Sequence, residues 1–212
     1  SGGTSTATPS TSQNVTSNGT YYFRARSAQG CWGAEGSAAV IINPIAGAVT
    51  VNGAGTYCNS QTLTATGGAN GTIYWQGTTS NGTSTATPST SQSVTATGTY
   101  YFRAYNANCG WGTQGSAAVT INPTAAVTSV TGTSPLCIGA SAAYTANGVV
   151  LGGGSGAWSS SSTAVATVAA NGTVTAVTAG STNIIYTITG GCGGTKSAQQ
   201  TLTVNPNAAI GT

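Results

Sequence analysis

Five cysteines, Cys31, Cys58, Cys109, Cys137 and Cys192, are the only reactive side chains that recur in this chain. Little around them can do acid–base work. The 212 residues hold no His, a single acid, Glu35, and four bases, Arg24, Arg26, Arg103 and Lys196. General acid–base catalysis needs a positioned group that titrates near working pH. A Ser-His-Asp triad and a two-carboxylate glycosidase site are therefore excluded. Zinc wants His or clustered Cys, and calcium wants several carboxylates, so the residues imply no metal and no cofactor. Nothing here lowers a thiol pKa, which leaves cross-linking as the expected cysteine chemistry. The composition predicts a protein that is not an enzyme.

The net charge of +3 is scattered rather than patched. Nucleic-acid binding needs several Lys or Arg on one face, so that partner is not expected. No apolar window of about 18 residues occurs, which argues against direct membrane insertion. Runs of Val, Ile, Tyr and Thr broken by Gly and Asn point to short β-strands instead. In the middle of the chain these runs fall near 46–51, 60–66, 71–76, 91–96, 99–105 and 115–122. Gly67-Gly68, Asn70-Gly71, Asn81-Gly82 and Gly98 supply the turns between them.

An internal repeat organises the strands. Thr4 to Pro44 and Thr83 to Pro123 align without a gap at an offset of 79, and 30 of the 41 positions are identical. Asn-Pro recurs at Asn43-Pro44, Asn122-Pro123 and Asn205-Pro206. The expected division is the C-terminal half of one unit (1–44), a complete unit (45–123), a second complete unit of different sequence (124–206) and the start of another (207–212). Cys58 and Cys109 then fall near the start and end of one unit, and Cys137 and Cys192 do the same in the next. That placement predicts bonds 58–109 and 137–192, with the partner of Cys31 lying upstream; five free thiols are the alternative. Small, charge-poor secreted domains commonly need such staples.

Gly98-x-Tyr100-x-Phe102 resembles the start of an immunoglobulin F strand, and Trp75 stands where strand C carries its buried tryptophan. From Ala157-Trp158-Ser159-Ser160-Ser161, through Ala164–Val168 and Asn171–Val177, to Ile184–Ile188, the sequence resembles bacterial immunoglobulin-like domains of group 2. Asn171-Gly172 suits a tight hairpin, since both residues tolerate φ > 0. The earlier units, with Ser134–Ala140 and Gly190–Gly194, are similar to immunoglobulin-like repeats of large secreted Bacteroidota proteins. That family includes long cell-surface adhesins exported by the type IX system, some of them serving gliding motility. The resemblance implies an all-β chain of tandem immunoglobulin-like sandwiches at the extracellular bacterial surface. The near absence of acids departs from any family trait that depends on calcium.

The resemblance implies a non-catalytic stalk of a surface adhesin or fibre, with units spaced on the order of 35–40 Å. Its partners would be neighbouring repeats of the same chain, with surface glycans or other surface proteins beside them. The alternative is a carbohydrate-binding accessory module of a secreted enzyme. Trp32, Trp111 and Tyr105 are the candidate glycan contacts; the competing expectation packs each Trp over a disulfide. Five Asn-x-Ser/Thr sites, at Asn14, Asn18, Asn70, Asn81 and Asn171, read mainly as turns. A third possibility, strand donation by 1–44 into a filament, predicts polymers.

Overall fold

A computed structural model describes residues 1–7 and 9–208. The expected opening of a further unit at 207–212 rests mostly on residues 209–212, which lie outside the described residues. Every regular element among the described residues is a strand. In the first repeat, β1 (Gly19–Arg26) and β2 (Trp32–Val40) form an antiparallel hairpin.

The next 79 residues build β3 (Val49–Asn52), β4 (Gly55–Cys58), β5 (Gln61–Gly67), β6 (Thr72–Trp75), β7 (Ser91–Val94), β8 (Gly98–Asn106), β9 (Gly110–Trp111) and β10 (Gly115–Asn122). One sheet runs β4-β10-β8-β6, with β9 paired to β8, and the other runs β3-β5-β7. The two face each other across one core, in which Leu63, Phe102 and Ala104 are fully buried. Alternation decides this: Tyr100, Phe102 and Ala104 point inward from β8 while Tyr101, Arg103 and Tyr105 point outward.

The strand expected at 46–51 is the shorter β3, and a further strand not expected from the sequence, β4, follows it. β3 joins one sheet; then Gly53, at φ 103, turns the chain so that β4 crosses to the other and pairs parallel with β10. A side chain at Gly53 would press on Gln61 and Leu63, so the crossing needs glycine.

The third unit repeats the layout with β11 (Ser129–Thr131), β12 (Leu136–Cys137), β13 (Ser141–Ala143), β14 (Thr145–Asn147), β15 (Ser155–Ser160), β16 (Ala166–Val168), β17 (Thr173–Ala176), β18 (Gly180–Thr189) and β19 (Lys196–Asn205). The sheet β12-β19-β18-β15 matches β4-β10-β8-β6 strand for strand. Ile184, Leu202 and Val174 fill its core, and Ile188 is fully buried as well. Both units are immunoglobulin-like β-sandwiches in tandem. The Asn171-Gly172 turn differs from expectation in one respect: only Gly172 takes positive φ, while the Asn171 side chain accepts the Thr173 N–H at 3.0 Å. Left-handed asparagines occur instead at Asn59, Asn70 and Asn81.

Candidate functional site

The cysteines do not pair within units. The disulfide joins Cys58 of the second unit to Cys192 of the third, with 5.5 Å between their Cα atoms. Cys31, Cys109 and Cys137 are free. The expected 58–109 and 137–192 bonds are therefore corrected, and strand direction supplies the reason. Because β4 runs parallel to β10, Cys58 lies opposite Asn122, at the C-terminal end of β10. Cys109 lies in the connection that leads into β10, at the other pole of the sandwich. The length of β10, 8 residues, separates them, or more than roughly 20 Å at ~3.3 Å per residue. Bridged cysteines need Cα atoms within about 7 Å. The third unit repeats the separation: Cys137 lies opposite Asn205, and Cys192 precedes the 10 residues of β19.

Closeness to the start and end of a unit in sequence thus places two cysteines at opposite poles. Where one unit meets the next, those poles come together. The joint is built from few residues. The Asn59 N–H donates to the Asn122 carbonyl at 2.9 Å, closing the end of β4 onto β10. Thr124 Oγ1 donates to Asn59 Oδ1 at 3.2 Å, tying the linker to the second unit. On the far side, the Ala125 N–H donates to the Cys192 carbonyl at 2.7 Å, and the Cys192 N–H donates to the Gly152 carbonyl at 2.9 Å. Gly153 lies so close to the Asn122 side chain that a Cβ would collide with it. Ala125 itself is buried. The linker is therefore packed and covalently braced, which the Asn-Pro motif alone, favouring extended backbone, does not supply.

A second cluster covers the outer face of the second unit. Trp111 meets Tyr105 at 4.8 Å and Tyr74 at 5.9 Å between ring centroids. The Arg103 guanidinium lies over the Trp111 ring at 5.5 Å, while its Nε donates to the Gly112 carbonyl at 2.7 Å. Trp111 therefore packs on an arginine and two tyrosines, not over a disulfide. Its counterpart Trp32 is flanked by Arg24 and Arg26, at 5.7 and 5.8 Å. Such stacking contributes about 0.5–1 kcal/mol at exposed sites. The structure thus brings Trp111 and Tyr105 together and leaves Trp32 on a separate hairpin. Trp75, expected to be buried, is partly buried against the core, stacked on Tyr100 at 5.5 Å and edge-on to Phe102 at 4.9 Å.

The tyrosine-corner contact is present as well. Tyr100 Oη donates to the Ala96 carbonyl at 2.7 Å. In the third unit Thr182 stands at this position, buried, accepting the Ser162 N–H at 2.9 Å and contacting the hydroxyls of Ser160 and Ser161. Among the described residues no three His, Cys, Asp or Glu side chains converge. Among the described residues no helix is long and apolar enough to cross a membrane.

No protein-family model matches the chain, and no curated protein matches it. Solved structures similar to it are tandem immunoglobulin-like domains. A titin I-band fragment, I67–I69, is 11% identical with a TM-score of 0.41, over 74% of this chain and 66% of that one. Domains 1–5 of Sidekick-1 are 13% identical with a TM-score of 0.42, over 90% and 46%. The D00–D0 domain of intimin is 17% identical with a TM-score of 0.39, over 74% and 99%. This chain spans 63–66% of the length of the titin fragment and of an intimin fragment solved with its translocated receptor's binding domain.

Proposed function

We propose that this chain is a non-catalytic, load-bearing stalk segment of a secreted, repetitive cell-surface adhesin or fibre. One observation carries the reading: the disulfide crosses the joint between units instead of stapling either core. Tension entering at Pro44 follows residues 45–58, crosses to Cys192 and leaves along β19 to Asn205. Residues 59–191, which hold most of both cores, lie off that covalent path. The sandwiches then set spacing and orientation while the bond carries the load. The bond also fits an oxidising compartment, as an extracellular location supplies. The bacterial assignment, the type IX route and gliding rest on the sequence resemblance alone. Neighbouring units are the first partners; surface proteins or glycans would be met elsewhere on the assembly.

Single-molecule pulling between the two ends tests this. Reduction of the bond should add a released contour of roughly 440–480 Å, from a separation of 134 residues at ~3.3–3.6 Å each. Equal contour lengths with and without reductant would refute the load path.

The Trp111 cluster favours a second reading, a carbohydrate-binding module, because paired aromatic rings on an outer sheet face suit sugar stacking. It requires retention on insoluble cellulose, chitin or peptidoglycan that disappears in Trp111→Ala. Absence of retention on all three counts against it.

A further inference from the structure

We infer that Cys109 and Cys137 are the two open ends of the same linkage, so that every joint of the array is closed by one disulfide. In each bond the cysteine on the strand parallel to the last strand of one unit joins the cysteine in the turn before the last strand of the next. The inference rests on reading the chain as an array of similar units, and it extends the stalk proposal to the joints at either side.

Three observations carry it. First, Cys137 occupies the same place as Cys58. Each ends a short strand parallel to the unit's last strand, opposite the Asn of an Asn-Pro pair: Asn122 for Cys58 and Asn205 for Cys137. The following residue repeats the same hydrogen bond, Asn59 N–H to Asn122 at 2.9 Å and Ile138 N–H to Asn205 at 3.2 Å. Yet Cys58 is bonded and Cys137 is an exposed free thiol at the far pole of the third unit.

Second, Cys109 occupies the same place as Cys192, in the connection between the two longest strands of the first sheet. Third, its thiol already faces the preceding joint. Cys109 Sγ lies 3.1 Å from the Asn43 carbonyl oxygen. Asn43 is the repeat counterpart of Asn122, 79 positions earlier, and Asn122 is the residue beside which Cys58 sits. Cys109 therefore waits where a Cys58 equivalent of the first unit would arrive. Cys31 lies in the corresponding turn of the first hairpin, one position later in the alignment, and is also exposed.

The pattern has a mechanical consequence. Within-unit bonds would protect each core but leave linkers as single strands. Bonds between units give every joint two covalent connections, the linker and the disulfide. Each bond forms by exchange with a disulfide oxidant such as glutathione disulfide. One cysteine thiolate attacks it and expels a glutathione thiolate. The partner thiolate then attacks the mixed disulfide and expels the second. Two protein thiols are oxidised and one glutathione disulfide is reduced to two thiols.

The test extends the whole chain, replacing residues after Pro206 with a second copy of residues 45–123, and oxidises it with glutathione disulfide. Non-reducing peptide mapping reads the bonds, and the 58–192 bond reports that the parent units have folded and oxidised. The expected result is a new bond between Cys137 and the Cys109 of the added copy. Cys137→Ser should leave that added Cys109 alkylatable while the 58–192 bond persists. A fully alkylatable Cys137 beside an intact 58–192 bond, or bonding of Cys137 to any other cysteine, overturns the inference. The stalk reading is decided separately by the pulling experiment on the unextended chain.

Discussion

The hairpin of the first repeat and its counterpart in the second are nearly one sequence in two situations. Phe23 and Phe102 stand 79 residues apart inside segments identical at 30 of 41 positions. Phe102 is fully buried; Phe23 is 45% exposed. The same holds along the strand, where Tyr100 and Ala104 are buried and their counterparts Tyr21 and Ala25 are not. Alternation says which side chains share a face. Whether that face is dry depends on the opposing sheet, which β3, β5 and β7 supply in the second unit and which the first hairpin has no equivalent of among the described residues.

This comparison can be broken most directly at the phenylalanines. Phe102→Ala should cost the second unit about 3–5 kcal/mol, the range for truncating a buried aromatic. Phe23→Ala should change stability by no more than about 0.5 kcal/mol, as surface substitutions do. Urea unfolding of the whole chain, read by hydrogen exchange of the β10 amides, separates the two. Equal costs would mean that the first hairpin is buried in solution.

A third situation sharpens the contrast. In the third unit the corner position carries Thr182 rather than Tyr. Thr182→Val should cost about 0.5–1.5 kcal/mol, because the Ser162 N–H loses its 2.9 Å bond and keeps only the longer one to Ser160 Oγ at 3.3 Å. A loss well below that range would show that water replaces the hydroxyl. At the tyrosine corner, Tyr100→Phe should cost about 1 kcal/mol through the lost bond to Ala96. Tyr21 makes the same bond to Ser17 at 2.7 Å, but in an exposed setting, and Tyr21→Phe should fall within about 0.5 kcal/mol.

The smallest effect is alkaline. Burial raises the Tyr144 phenol above its ordinary 10.0, while its Oη donates to the Thr133 carbonyl at 2.8 Å. The folded third unit then holds this proton to higher pH than the unfolded chain does. Its contribution is intact below pH 10 and is lost as pH rises from there through the raised value. Unfolding midpoints on either side of pH 10 should show this slope, and Tyr144→Phe should flatten it.

Much of the fold was legible in particular residues. Gly98-x-Tyr100-x-Phe102 marked β8 because its alternation, turn and aromatic spacing agree, and 115–122 matched β10 to the residue. Trp75 reached the expected strand and packs against the core, but it is only partly buried. The strand β4 was not legible: Gly55-Thr56-Tyr57-Cys58 is four residues long, and only its partner β10, some sixty residues later, makes it a strand. The Trp111 cluster was half legible. The outward face of Tyr105 and Arg103 follows from alternation, but Tyr74 joins them from β6, across a pairing that local sequence does not announce.

By itself the sequence determined the repeat, the strand-forming character and the inward face of each long strand. These depend on residue type and on spacing within a few residues, where covalent geometry and alternation apply directly. Only the tertiary structure decided which cysteines meet. That depends on the parallel course of β4 and β10 and on how one sandwich seats on the next. Two cysteines near the ends of one unit in sequence are held a strand length apart, while two cysteines separated by 134 residues come within 5.5 Å.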